Sequence, residues 1–327
     1  MNILYTCDNN YVWLMGISII SLFENNKHIK EMKVYLLGEN ISCENKAQLD
    51  CIAQKYGREV ILVDVPRFDI PVSLLSARWP LSAFTRLYAG ELLPEDVGKV
   101  LYLDCDTIIT GDIGPLQSID FENNIVMGIK DCISGGYKEN IGLDRNAPYY
   151  NAGVLLLDLV KLRKINVSKE IDNYMHKYIK FINYADQDIL NGMFKGRIGT
   201  LEPKYDVMTI DVAHSYKEIV KLRRPTNFYS ENELKDAVNN PVIIHFTTNM
   251  LIVRPWFINS DHPLKNEFEK YMGLSVWSNI EMSEMKFISK ESRIISIIDK
   301  LPKGISYFLL GLIHSVLKPK YIKMKAR

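Results

Sequence analysis

Two carboxylates one residue apart, Asp104 and Asp106, close the apolar run at residues 100–103. The run follows Gly98 and Lys99 and reads as a short buried strand. Alternate residues of an extended chain share a face, so both carboxylates point the same way off the strand end. Two anions so placed repel unless a cation lies between them. Hard divalent ions such as Mg²⁺ or Mn²⁺, often bridging to a substrate phosphate, suit oxygen ligands of this kind. An Asp-x-Asp alone is a weak signal, and a second one occurs at Asp186 and Asp188. The first stands out by its place at the carboxyl end of a strand, where α/β sheets gather their ligands.

The elements that would position such a pair follow from the pattern around it. Residues 3–6 read as a strand, 7–10 as a polar loop and 11–25 as a helix. A strand at 33–37, a helix at 45–56 closed by Gly57, and a strand at 60–65 continue the alternation. Helix signals run over 73–93, interrupted by Pro80 and stopped by Pro94, before the strand at 100. This order predicts a largely parallel sheet with helices on both faces. Two loops then lie beyond strand ends, residues 6–10 and 104–107. Further on, an apolar segment from Ile125 ends in Lys130-Asp131, a glycine-rich loop is expected at 134–137, and Tyr150-Asn-Ala-Gly leads into a strand at 154–157. Helices are expected at 167–178 and from Asp186 to Phe194, and a last strand at 242–246. There is no internal repeat or low-complexity tract.

At 327 residues the chain can bury a sizeable core, as one large domain or a domain with an appendage. A net charge of +1 argues against a globally basic nucleic-acid binder. The opening residues lack a basic stretch and a long apolar run, so no secretory signal is expected. No apolar run reaches the roughly 18–20 residues of a spanning helix. Five scattered cysteines without a Cys-x-x-Cys pair fit reduced thiols in a cytosol better than a disulfide frame or a zinc site. After Asp299 no acidic residue remains, while Lys303, Lys318, Lys320, Lys323, Lys325 and Arg327 flank the apolar segment 305–317. That segment is too short to cross a bilayer but could lie in its interface, with lysines reaching lipid phosphates. The plainer alternative is a helix docked on its own domain. The unrelieved basic tail favours the membrane surface, and hence a cytoplasmic protein peripherally bound to the inner face of the cell membrane.

Four motifs, Leu101-Tyr-Leu-Asp-Cys-Asp-Thr, Asn151-Ala-Gly-Val, Asp186-Gln-Asp and Ile244-His-Phe-Thr, occur in this order. Together they resemble glycosyltransferase family 8, which includes bacterial lipopolysaccharide and capsule galactosyl- and glucosyltransferases and the glycogenins. The resemblance runs from Met1 to about Tyr271. It implies an α/β fold of the GT-A type, a single nucleotide-sugar-binding domain with a mostly parallel central sheet, over residues 1–271. Residues 272–327 are then a C-terminal helical region with a basic, membrane-associating tail. It further implies retaining transfer of galactose or glucose from UDP-galactose or UDP-glucose, dependent on Mn²⁺ with Mg²⁺ as the alternative. The acceptor is expected to be a lipid-linked saccharide of a surface glycan, lipopolysaccharide or capsule.

Within that resemblance Asp104, Asp106 and His245 hold the metal. A lone histidine after an apolar strand reads as a hydrogen-bonded core residue; beside the other three motifs it reads as a ligand, and its nitrogen favours Mn²⁺ over Mg²⁺. Such an ion stabilises the charge that develops on the departing UDP. Thr6, Cys7, Asp8, Asn10 and Tyr11 are expected to hold uridine, Tyr11 by its aromatic face and Asp8 by accepting hydrogen bonds. Taken alone they form a polar turn with a helix cap at Asn9 or Asn10. Arg86 and Cys105 are expected at the donor, Asp131 on sugar hydroxyls and Asn151 near the transferred sugar. The family's common Gly and Lys after the histidine are absent: Thr248 and a longer loop precede Arg254, which can still pair a phosphate. Asp186 and Gln187 match the pair nearest the anomeric carbon. An amide is a poor nucleophile, so front-face transfer is expected, with Gln187 facing oxocarbenium-like charge and Asp186 gripping sugar hydroxyls. Acceptor contacts are expected from Gly135, Gly136 and residues 207–229. Two other readings are weaker. A sugar nucleotidyltransferase would carry glycine and a cation near residues 7–13, and a non-catalytic scaffold would not need its metal ligands intact.

Overall fold

The computed structural model describes residues 1–65, 84–250, 252–287 and 289–326. Strand β1 (Asn2–Asp8) buries both faces, which makes it a central strand. Helix α1 (Val12–Asn25) is apolar almost all round and lies inside the molecule. β2 (Lys33–Glu39) leads to α2 (Cys43–Lys55), an amphipathic helix that buries only Leu49, Ile52 and Ala53. Ser42 caps its start by accepting from the Asn45 amide, and Gly57 at φ +61° turns the chain into β3 (Glu59–Asp64). The helix expected over 73–93 is described only from residue 84; the rest, with Pro80, lies outside the described residues. There a 3₁₀ turn, Arg86–Tyr88, runs into α3 (Ala89–Leu92), stopped ahead of Pro94.

β4 (Lys99–Leu103), β5 (Thr107–Ile109) and β6 (Val126–Lys130) follow. Then come α4 (Gly135–Asn140), β7 (Tyr150–Asp158), α5 (Val167–Tyr178), α6 (Ala185–Met193), β8 (Ile198–Thr200) and β9 (Val207–Met208). Later elements include α7 (Tyr216–Arg223), β10 (Ile243–His245), α8 (Lys265–Met272), α9 (Lys290–Asp299), α10 (Lys303–Leu312) and α11 (Lys318–Ala326). Seven strands form one sheet in the order β3-β2-β1-β4-β7-β6-β8, and β5-β10-β9 form a second. In the large sheet four of six pairings are parallel; β7 runs against both of its neighbours. Residues 131–149, which carry α4, join β6 to β7. Buried side chains fill both faces of the sheet, Ile3, Leu101 and Val154 on one side and Leu4, Val100 and Leu155 on the other.

One expectation, that of a loop at 134–137, is corrected, and the last strand and the C-terminal segment find their places. The last strand joins the second sheet, where His245 pairs with Thr107 and Met208. The glycine-rich segment at 134–137 is the start of α4 rather than a loop. The C-terminal segment 305–317 is docked on the body of the protein along one side. There α10 crosses α7 so closely that a Cβ on Gly311 would lie 1.9 Å from the Lys221 carbonyl oxygen. A π turn, Ile313–Leu317, continues over α4: Ser134 Oγ donates to the Ser315 carbonyl at 2.9 Å, and Asn140 Nδ2 to that of Pro319 at 2.9 Å. Phe308, Leu317 and Tyr321 remain exposed on the other side. Among the described residues no helix is long and apolar enough to cross a membrane. All five cysteines are free.

Candidate active site

Where β4 ends, the chain turns through Asp104 and Asp106 into β5, whose partner β10 ends in His245. The turn is fixed at both ends, Asp104 N donating to the Gly153 carbonyl at 2.8 Å and Phe246 N to that of Asp106 at 2.9 Å. Ligand atoms of Asp104, Asp106 and His245 all lie within 4.8 Å of one another. The imidazole Nε2 is 3.2 Å from Asp106 and 3.7 Å from Asp104. Its Nδ1 faces Asp206 at 2.9 Å, a carboxylate with no exposed side-chain surface. Donation from Nδ1 fixes the tautomer and turns Nε2 toward the two aspartates, the usual support of a metal-binding histidine. Burial opposes charge on this imidazole, but Asp206 and Asp106 outweigh it and hold its pKa well above the ordinary value. Burial likewise opposes charge on Asp106, yet His245 and Arg254 bring its pKa down to about 2. The cluster therefore draws positive charge to one point. A Cβ on Gly153 would sit 2.2 Å from His245 Cε1 and 2.9 Å from Asp104 Oδ2, so only glycine leaves room for the three ligands to converge. Two carboxylates and one imidazole fit a divalent ion such as Mn²⁺.

Arg86, 8% exposed, ties this cluster to the next. One Nη lies 2.9 Å from Asp104 and donates to the Ala152 carbonyl at 2.6 Å; Nε lies 3.2 Å from Asp186. The guanidinium stacks 4.3 Å from the centre of the Tyr102 ring. Burial disfavours its charge, but Asp104 and Asp186 raise its pKa further. Burial pushes Asp186 up to about 6 against the pull of Arg86.

Asp186 and Gln187 open α6 just after Ala185, whose φ of +46° is strained for a residue with a Cβ. Asp188 holds that turn, accepting from the amides of Asn183 and Tyr184 at 2.7 and 2.8 Å and from the Tyr149 hydroxyl at 2.7 Å. Gln187 is oriented from both ends: Oε1 accepts from Ala152 N at 3.2 Å and Nε2 donates to Asp131 at 3.0 Å. Asn151 accepts from Gly153 N at 2.7 Å. Arg254 reaches Asp106 at 3.2 Å, lies over Trp256, and keeps a buried Nε with no partner among the described residues.

The structure gathers Arg86, Asp104, Asp106, Asp131, Asn151, Asp186, Gln187, His245 and Arg254 around one cavity of about 340 Å³. Thr6, Cys7, Asp8, Asn10, Tyr11 and Cys105 do not line it. Thr6 is 3.2 Å from the Tyr102 hydroxyl, which donates to Asp104, and the Cys105 thiol faces the Thr6 carbonyl at 3.5 Å. Asp8 accepts from the Asn10 amide at 2.8 Å, Cys7 is buried, and Tyr11 is 43% exposed. Neither Asn9 nor Asn10 caps α1, which has no side-chain cap; Asn9 instead accepts from Ser42 N at 2.8 Å. Gly135 and Gly136 do not line the cavity, and Gly136 abuts Pro319. From the expected acceptor segment 207–229, Met208, Ile210 and Arg223 do line it. Sequence reasoning missed Asp206, Asp188 as the turn holder, and Asn249. Only Asp188 carried a signal, as the last residue of Asp186-Gln-Asp.

The family model for glycosyl transferase family 8 matches residues 2–259. General stress protein A of Bacillus subtilis (strain 168) is 24% identical over 283 residues, spanning 86% of this chain and 96% of that protein. A lipopolysaccharide 1,2-glucosyltransferase of Escherichia coli is 26% identical over 285 residues, spanning 85% and 80%. The solved structure of the galactosyltransferase LgtC in complex with donor and acceptor sugar analogues has a TM-score of 0.69 at 24% identity, over 90% of this chain and 99% of that one. The shared fold is GT-A, mixed α/β with a large central sheet, here followed by a C-terminal helical stretch.

Proposed function

This chain belongs to glycosyltransferase family 8, and from that premise we propose that it is a retaining hexosyltransferase. It moves galactose or glucose from a UDP-sugar to a saccharide acceptor of a surface glycan, lipopolysaccharide or capsule. The observation that carries this reading is the convergence of Asp104, Asp106 and His245 on one point, with glycine at 153 leaving the space. A divalent ion held by these three would supply Lewis-acid stabilisation of the departing diphosphate.

The chain's own residues do the rest. Tyr11 and Asp8 receive the uridine, with Thr6, Cys7, Asn10 and Cys105 shaping that loop. Arg254 offers its unpartnered Nε to a phosphate oxygen. Asp186, Asp131 and Asn151 hold the hydroxyls of the transferred sugar. Gln187 lies beside the anomeric carbon, with one Oε1 lone pair on Ala152 N and the other left for positive charge. The anomeric C–O bond breaks with its electrons leaving on UDP. The acceptor hydroxyl then bonds from the same face, and its proton passes to the departing phosphate. Two features support this over a covalent intermediate: Asp186 is engaged by Arg86, and Gln187 is an amide.

Residues 1–271 are proposed as the catalytic domain and 272–327 as a helical appendage that rests on the inner face of the cell membrane. Supporting it, α9 to α11 expose Ile297, Phe308, Leu317 and Tyr321 among lysines. The test of the activity is a donor panel with UDP release measured with and without Mn²⁺, followed by anomeric analysis of the product. A UDP-sugar turned over with the same anomer in the product is the expected result. No turnover of any UDP-sugar overturns the reading, and a trapped glycosyl adduct on Asp186 overturns the front-face route. Binding to anionic liposomes, weakened by Phe308→Asp, tests the membrane surface.

A further inference from the structure

The wall of the cavity formed by the C-terminal half carries a cation that the metal cluster and donor residues leave unused. Arg223, the last residue of α7, lines the cavity. One Nη donates to His314 Nε2 at 2.7 Å and the other to Asn249 Oδ1 at 3.0 Å. Among the described residues both partners are neutral groups, whereas Arg86 and Arg254 face carboxylates. An imidazole that accepts at Nε2 carries a single proton. Burial, with Arg223 beside it, lowers the His314 pKa to about 2, in keeping with that state. His314 belongs to the π turn of the C-terminal segment, where the Tyr184 hydroxyl also lies 3.3 Å from its Nε2. Such irregular turns cluster at functional sites.

A second observation concerns the arginine's neighbour. Asn249 is 1% exposed and lines the same cavity. Its Oδ1 is taken by Arg223, which makes Nδ2 the donor, and Nδ2 is buried with no partner among the described residues. A buried donor left unmade costs about 1–3 kcal/mol, so its retention at a cavity wall points to a ligand that completes it. A cation paired only with neutral groups, beside a buried amide donor short of an acceptor, complements an oxyanion.

We infer that the acceptor glycan carries an anionic substituent, a phosphate or a carboxylate, and that Arg223 with Asn249 binds it. The inference rests on the transferase reading and names its acceptor class. It also gives the C-terminal segment a place in the site: His314 reaches back across the fold to aim the guanidinium into the cavity.

The test uses the full chain with Mn²⁺ and UDP, and compares the binding of glucose, glucose 6-phosphate and glucuronic acid by titration. At least one anionic sugar binds about tenfold or more tighter than glucose, the factor a charge-assisted hydrogen bond gives. Which of the two is preferred tells phosphate from carboxylate. In Arg223→Gln the preference falls toward parity. Equal binding of all three sugars to the wild type overturns the inference without recourse to any variant, so misfolding cannot obscure it. A preference that survives in Arg223→Gln also overturns it, as does a loss of UDP affinity in its place, which puts the guanidinium on the donor. Repeating the titration without UDP and Mn²⁺ separates the two readings. A chain that binds no UDP yet prefers the anionic sugar loses the transferase reading and keeps the subsite.

Discussion

The two ends of the cavity are built of different material. At one end, Asp104, Asp106 and His245 rest on paired strands, and their charges face Arg86, Arg254 and Asp206 at 2.9–3.2 Å. At the other, Arg223 and Asn249 rest on a helix end and a loop, held by a turn from the C-terminus, with only neutral partners among the described residues. Strand ends fix ligand atoms through backbone pairing, so an ion site can be preset before anything binds. Helix ends and loops place donors but leave their charge to be balanced by what arrives. The first end suits a constant requirement of the chemistry, and the second suits the choice of a partner.

Substitutions at the first end should abolish turnover whatever the acceptor, and substitutions at the second should change which acceptor is used. The largest effect is expected for Asp106→Ala, which removes a ligand and strips Arg254 and His245 of their counter-charge. UDP release should fall by about 10³-fold or more, measured at saturating Mn²⁺. Gly153→Ala comes next. Its methyl must displace the imidazole, so Mn²⁺ binding is lost and stability drops by about 1–3 kcal/mol, read by titration and denaturant melts. Asp206→Asn keeps the shape but weakens the hold on Nδ1, and should cost about 10–100-fold in Mn²⁺ affinity.

The smallest effect concerns pH. Asp186 stands at about 6 in the folded chain against an ordinary 3.8, so between those values the folded state binds more protons than the unfolded one. Its contribution is fully present below about pH 4 and is lost as pH rises through about 6. Wild type should therefore lose melting temperature relative to Asp186→Asn across that window. A difference that stays flat would mean that Asp186 is not held up by burial.

Much of the first end was legible in the sequence, and little of the second. Asp104 and Asp106 follow an apolar run, and period and motif give both their placement and their shared direction. His245 is likewise fixed by its strand, though the sheet it joins was not foreseen. Asp206 lies 39 residues before the imidazole it orients, and no local pattern links the two. Arg223 and His314 are 91 residues apart, and each alone reads as an ordinary surface or core residue. The error at Gly135 and Gly136 has the same source: two glycines argue for a loop, but Ser134 and Asn140 bond to the C-terminal turn and the tertiary contacts override propensity. The antiparallel course of β7 left no trace in the apolar periodicity, which is the same for either strand direction.

The central claim is that Asp104, Asp106 and His245 hold the divalent ion that serves the nucleotide-sugar. Pulsed electron paramagnetic resonance of Mn²⁺ added to the full chain with UDP tests it directly. An imidazole nitrogen coupled to the manganese, and lost in His245→Gln, is the predicted result. A manganese spectrum without nitrogen coupling, or one unchanged by that substitution, would contradict it.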